Sequence, residues 1–293
     1  MDTTNRFLPT VRVATALTNE RGEKSYKPCS GVLIHPRLVI TAGHCVCWSR
    51  PATPQEQPSQ TSSTTKPQKP AKKDIKTRAE ELRGVTLTEI IDKHSPCAKA
   101  TTVTTTVYSP SKKGVPGSQT SDYKNAEIVP HPDLEVLIGI RNGRPETVWS
   151  NADLAAIFLK NPVELDFQPM LLPEAEVQIG DAIEMAGYGM GDSSSVYGDR
   201  QFGENKVTRL LMLETGHSVF RAEAQRLSDG TVAAHTGIGD SGGACVKKAS
   251  PTVLVGIVSI GARTQDGGKM SVFTSVYSHR KWLEQALKRA NKI

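Results

Sequence analysis

The chain has 293 residues, 37% of them hydrophobic, and carries a formal net charge of +6 from 36 basic and 30 acidic side chains. That length and apolar content suffice for a buried core and exclude a chain that is disordered throughout. Charges of both signs are scattered along the sequence, so the basicity is generic and predicts no nucleic-acid partner, and no apolar run reaches membrane-spanning length.

The opening residues, MDTTNRFLPTVRVATAL, lack the basic start and continuous apolar core of a signal peptide, and their TVRVATAL portion reads as a short strand. The β-prone stretch CSGVLIHPRLVITAG leads into VITAGHCV, residues 39–46. A histidine just after an apolar strand, at a turn opened by Gly43, presents its imidazole at a rim and not in a core. Cys45 and Cys47 beside His44 raise the question of zinc, but no fourth ligand stands at close spacing, and no metal is assigned. Residues 51–73, rich in Pro, Gln, Ser, Thr and Lys, predict a flexible loop. After it DIKTRAEELRGV reads as a short helix and ATTVTTTVYSP as a strand, with order resuming near 85–100.

Two acids follow in suggestive frames, Asp133 in HPDLEVLIGI and Asp153 in NADLAAIFL, although each alone reads as a turn residue or cap. Further on, TGIGDSGGACV, residues 236–246, holds glycines at 237, 239, 242 and 243 and so makes a poor helix. A serine on such a turn lets a carbonyl carbon approach closely, while successive N–H groups converge on the oxyanion that develops; the plain alternative is a tight turn. The strands TVLVGIVSIG and MSVFTSVY come next, and the chain ends in YSHRKWLEQALKRANKI, where Trp282, Leu283, Ala286 and Leu287 recur at helical spacing. Many short strands separated by turn residues favour antiparallel barrels or a sandwich over an α/β sheet.

A nucleophilic serine needs a base, and the base needs a carboxylate to fix its tautomer. TAGHC, ADLAAIFL and GDSGG supply those three residue types in order, and they resemble the three signature segments of the chymotrypsin/trypsin-like serine proteases, divergent bacterial members in particular. PCSGVLI resembles the strand whose cysteine pairs with the one after the catalytic histidine, MAGYG the family's Gly-Trp-Gly turn, VGIVSIGA the strand that binds substrate backbone, and YSHRKWLEQAL the C-terminal helix. The resemblance covers most of the chain outside 50–125. It implies an all-β fold of two antiparallel six-stranded β-barrels with a C-terminal α-helix, in a single domain spanning 1–293. The N-terminal barrel would cover about 8–165 with a flexible insertion at about 50–125, the C-terminal barrel about 166–276 and the helix about 277–291.

Carried over residue by residue, the resemblance makes His44 the general base, Asp153 its orienting carboxylate and Ser241 the nucleophile, with Gly239 and Ser241 donating the oxyanion-hole N–H groups. Asp133 competes for the acid role; Asp153 is preferred because KNPVELDFQPMLLP continues as the family does after its aspartate. His235 falls at the base of the first pocket, with Thr236 beside it, Gly261 and Ser271 as walls and Ser259 on the substrate-binding strand. Trypsin's preference for Lys and Arg rests on an aspartate where His235 stands, so it is not implied; an open, polar pocket for acidic or for small uncharged side chains is. Cys29 and Cys45 match the family's disulfide beside the histidine, Cys47 and Cys97 bracket the insertion as a second pair, and Cys245 reads as a small buried hydrophobe. Disulfides point to an extracytoplasmic protein. The segment before TVRVATAL is too short for the family's usual activation cleavage, so Asp240 is expected to find a partner other than a new terminal amine. The implied function is a serine endopeptidase acting on protein or peptide through an acyl-enzyme, with no cofactor; a non-catalytic protease-like binding protein and a serine esterase are the alternatives. Oligomeric state is not legible.

Overall fold

The computed structural model describes residues 1–18, 22–58, 75–110, 117–190, 198–263 and 268–293. The strands Thr10–Thr18, Lys24–His35, Leu38–Thr41, Ala155–Leu159, Gly117–Pro130 and Thr101–Ser109 close, in that neighbour order, into a six-stranded antiparallel barrel. Ala155–Leu159 is buried at all five positions because both of its faces are covered. Side chains of a strand alternate between faces, and here Ala155, Ile157 and Leu159 fill the barrel interior with Val11, Val13 and Leu33. Ala156 and Phe158 point the other way, into the core shared with the C-terminal half and with Leu283, Ala286 and Ala290 of the terminal helix Arg280–Ala290. An unbroken apolar run is what such a doubly buried strand requires.

This barrel corrects the insertion drawn at 50–125. Thr101–Ser109 and Gly117–Pro130 are barrel strands, the first paired with Thr10–Thr18 and both paired with each other. What is inserted ends near the disulfide Cys47–Cys97. It contributes Arg50–Pro51 and Val85–Ile91 to a separate four-stranded sheet with Glu135–Arg141 and Arg144–Asn151. The expectation of a flexible loop from 51 also fails for 51–57. Arg50 forms ion pairs with Glu56 and Asp92, and the Gln57 side chain both donates to Leu87 O (2.9 Å) and accepts from Leu87 N–H (3.0 Å). Thr53 and Glu56 form a capping box over the short turn Pro54–Glu56. Polar pairing orders this stretch, with Ala52 as its apolar contact to the core. The rest of the expected loop, 59–73, lies outside the described residues. The short helix expected after it is one turn, Arg78–Glu81, capped by Thr77.

The C-terminal half supplies seven strands, from Ala182–Gly187 to Lys269–Ser275, to an eight-stranded sheet with Ile75–Lys76 at one edge and Gln201–Lys206 at the other. Near the chain start, Asp2 and Arg200 form a fully buried ion pair at 2.8 Å. The Arg200 guanidinium also donates to Thr106 O, Tyr188 Oη and Asn5 Oδ1, so the charge that burial exposes to low dielectric is compensated on every side. Among the described residues no helix is long and apolar enough to cross a membrane.

Candidate active site

His44 sits in a single 3-10 turn, Gly43–Cys45, directly after the buried strand Leu38–Thr41. Two devices hold that turn. The disulfide Cys29–Cys45 ties it to the neighbouring strand, and Lys27 Nζ donates to His44 O (2.9 Å) and Cys47 O (3.0 Å). Burial pushes the Lys27 ammonium below the ordinary lysine pKa, against the opposing pull of Asp153 and Glu89.

Asp153 is reached through Ala152, whose φ of 47° is unusual for a residue with a Cβ and turns the chain so that the next carboxylate faces inward. Asp153 is fully buried; Oδ1 accepts the His44 backbone N–H (2.9 Å), and Oδ2 lies 2.8 Å from His44 Nδ1 and accepts the Ser259 hydroxyl (2.6 Å). Burial alone would raise its pKa, but the His44 imidazole and these hydrogen bonds outweigh burial and hold the carboxyl below the ordinary aspartate value. An ionised Asp153 accepts the Nδ1–H of neutral His44, which leaves the lone pair on Nε2. Asp133 does not reach His44: its exposed carboxylate lies 3.9 Å from His217 Nε2.

The serine arrives from the other half of the molecule, on the turn that the glycines of GIGDSGG permit. Gly239 has a φ of 96° and Gly242 one of 84°, and a Cβ on Gly242 would lie 2.1 Å from Ser30 O. Ser30 locks the turn to the first barrel, its N–H donating to Ser241 O and its hydroxyl to Gly239 O, both at 2.8 Å. The N–H groups of Gly239 and Ser241 donate to no acceptor among the described residues. The Ser241 hydroxyl donates to Ser259 O at 3.4 Å, and no hydrogen bond joins it to His44 among the described residues. Asp240 is held by two backbone donors, Gly189 N–H and Gly237 N–H, each at 2.8 Å; burial raises its pKa, and those donors and His235 moderate the rise.

The other candidates divide into two groups. Thr236 N–H donates to the buried Ser271 Oγ (2.8 Å), and a Cβ on Gly261 would lie 3.3 Å from Thr236 O, so these three are neighbours. His235 instead lines, with Thr236, Asp240, Met190 and Phe202, a cavity of about 330 Å³ that Gly261 and Ser271 do not border. The Ser259 hydroxyl is committed to Asp153. Sequence reading missed that bond, together with the roles of Lys27, Ser30 and Ala152, because their partners or backbone angles are set by the fold and not by the segments in which they stand.

Both expected disulfides are present, and Cys245 is a buried free thiol. Ligand-type atoms of Cys29, His44 and Cys45 gather within 4.8 Å, but the two sulfurs are bonded to each other and cannot serve as thiolates.

Comparison with known proteins follows the same line. The sequence matches the family described as Trypsin over residues 9–86 and 97–283. Among solved structures, neuropsin, a serine protease expressed in the limbic system of mouse brain, superposes with a TM-score of 0.53 at 17% identity, covering 96% of this chain and 95% of its own. At that identity the likeness is one of fold. No curated protein matches the sequence. With the family match spanning nearly the whole chain, the protein belongs to the trypsin family.

Proposed function

We propose that the protein is a serine endopeptidase with His44, Asp153 and Ser241 as its catalytic residues. The observation that carries this reading is the buried Asp153 carboxylate bonded to His44 Nδ1 beside a serine-bearing glycine turn with two uncommitted N–H groups. In the reaction Ser241 Oγ turns from Ser259 O to His44 Nε2, gives up its proton there and bonds to the substrate carbonyl carbon. Asp153 stabilises the resulting imidazolium, and the Gly239 and Ser241 N–H groups receive the oxyanion. The tetrahedral adduct collapses, the C–N bond breaks, and His44 passes its proton to the leaving amine. Water then attacks the acyl-enzyme by the same route in reverse, regenerating the Ser241 hydroxyl and releasing the carboxylic acid. The long Ser241 contact fits a resting site, since catalytic hydrogen bonds commonly tighten only when substrate binds.

Thr236, Gly261 and Ser271 form the first pocket in this reading, suited to small or uncharged polar side chains. His235 lines, with Thr236 and Asp240, the cavity of about 330 Å³ that adjoins these residues. A fluorophosphonate probe tests the assignment: wild type labels and Ser241→Ala does not. Hydrolysis of a fluorescently tagged unfolded protein falls by roughly 10⁴- to 10⁶-fold in the same variant. Undiminished hydrolysis by Ser241→Ala overturns the reading.

A further inference from the structure

The inserted segment does more than decorate the first barrel. It walls a groove of about 710 Å³ whose lining includes Lys27, the residue that holds the His44 turn. The Lys27 ammonium is turned into the protein toward the His44 and Cys47 carbonyls. Trp48, Glu89, His94 and Pro96 wall the groove. This wall is firmly built. Cys47–Cys97 and the bond from Trp48 N–H to Pro96 O (2.8 Å) fasten its base, and Pro51 pairs in register with Glu89. Arg50, which also borders the groove, is held between Glu56 and Asp92, so its charge is matched by two carboxylates and is not offered to a ligand.

Two groups on the wall remain available. Trp48 is only partly buried and forms no ring contact with another aromatic or cationic side chain among the described residues. Glu89 is exposed, accepts the Ser49 hydroxyl and pairs with no cation among the described residues. Its field does reach Lys27. An indole face beside an unpaired carboxylate is the pairing that receives a guanidinium: the plane stacks on the ring while the N–H fork meets the oxygens.

None of the serine-turn residues 236–241, nor Ser259 or Gly261 of the strand Ser250–Arg263, borders this groove. Its link to the site is instead Lys27, which lines the groove and donates to His44 O. Resting on the endopeptidase reading above, we propose that this groove binds the residues C-terminal to the scissile bond and selects an arginine side chain there, held by Trp48 and Glu89.

The test uses the full chain and the tripeptide amides Ala-Arg-Ala and Ala-citrulline-Ala, which differ by one charge at nearly constant shape. Binding is read by tryptophan fluorescence and by calorimetry, and fluorophosphonate labelling of the same samples reports on Ser241 independently. Wild type binds the arginine peptide about tenfold more tightly at low salt, and the preference shrinks as salt screens the pair. In Glu89→Gln the ratio drops below about twofold with labelling unchanged, and Trp48→Leu weakens the arginine peptide more than the citrulline peptide. Equal binding of the two peptides by wild type overturns the groove assignment, as does a preference that survives Glu89→Gln. Labelling without arginine preference sinks the groove alone; arginine preference without labelling sinks the serine reading alone.

Discussion

The two halves of the site are finished to different degrees. On the His44 side each oxygen of Asp153 has at least one partner, and the turn bearing the imidazole is fixed by a disulfide and by a buried ammonium. On the Ser241 side the carbonyls of Gly239 and Ser241 are pinned by Ser30, while the two N–H groups find no acceptor among the described residues and the hydroxyl has only its long contact with Ser259 O. The contrast has a physical logic. A base must have its tautomer set before substrate arrives, whereas donors aimed at a charge that exists only in the transition state are of use only if the resting protein leaves them unfilled.

The sharpest way to break the His44 side is at its acid. Asp153→Asn keeps the shape but presents an amide N–H or a weaker acceptor to Nδ1, so the lone pair on Nε2 is no longer assured. Turnover of a peptide substrate is expected to fall by about 10⁴-fold in kcat, the scale known for this change in such triads. Asp133→Asn, whose carboxylate is exposed and faces His217, leaves kcat within about twofold. A reversal of these two results would transfer the acid role to Asp133.

The serine side breaks at Ser30. Its hydroxyl donates to Gly239 O and accepts the Tyr188 N–H (2.9 Å), so Ser30→Ala leaves two buried backbone groups unpaired. At roughly 1–3 kcal/mol for each such group, a loss of about 2–6 kcal/mol in urea unfolding is expected. The freed glycine turn is also expected to lower kcat by about 10- to 100-fold, with KM little changed, because in the proposed reaction Gly239 donates chiefly to the transition state. Ser259→Ala, which removes one of several hydrogen bonds to an acid still held by His44, costs about tenfold or less. If Ser259→Ala proved the worse of the two, the contrast between the halves would be misplaced.

The parts of the molecule legible in the sequence are those whose chemistry is local. His44 and Ser241 stand in short-range patterns, a turn after a strand and a run of glycines, whereas Asp153 alone reads as a turn residue and is singled out only by the family resemblance of the segment around it. The role of Ser30 is not legible in this way, since the residue it restrains lies 209 positions away. The strand 101–109 was recognisable from its β-branched Thr and Val, yet nothing in that run says whether it joins the barrel or an inserted sheet; its partner at 10–18 decides that. Composition misled at 51–57 for a similar reason. The polar residues there are fixed by Arg50, Glu56, Asp92 and Leu87 through specific pairs, and polarity alone does not distinguish such pairing from solvation.

The solidity of the His44 side also depends on a feature behind Asp153, and pH is the means of loosening it. His131, His217 and His279 pack together, with ring centroids of His131 and His279 4.7 Å apart and those of His217 and His279 4.3 Å apart. His131 N–H donates to Leu154 O (2.9 Å), next to Asp153, and its Nδ1 accepts the Asp133 N–H (3.1 Å). Its remaining proton is therefore on Nε2, directed at His279 Nδ1 (3.2 Å), which leaves His279 with a buried Nε2–H and no acceptor. Burial, reinforced by the neighbouring imidazoles His131 and His217, pushes His279 down to about 2 from 6.5; burial pushes His131 down to about 4. A histidine with a lowered folded pKa is neutral in the native state while the unfolded chain takes up the proton, so its stabilising effect is complete above 6.5 and declines as pH falls below that value. At about 1.4 kcal/mol per pH unit, His279 alone is expected to remove roughly 2 kcal/mol between neutrality and pH ~5. His279→Asn keeps an acceptor for His131 and eliminates the titration. Its urea-unfolding free energy, measured at intervals from pH 7.5 to 4.5, is expected to fall less steeply than that of wild type by up to one proton. Parallel curves for the two proteins below pH 6.5 would show that His279 is charged in the folded state, and that the support behind Asp153 is not proton-linked through this residue.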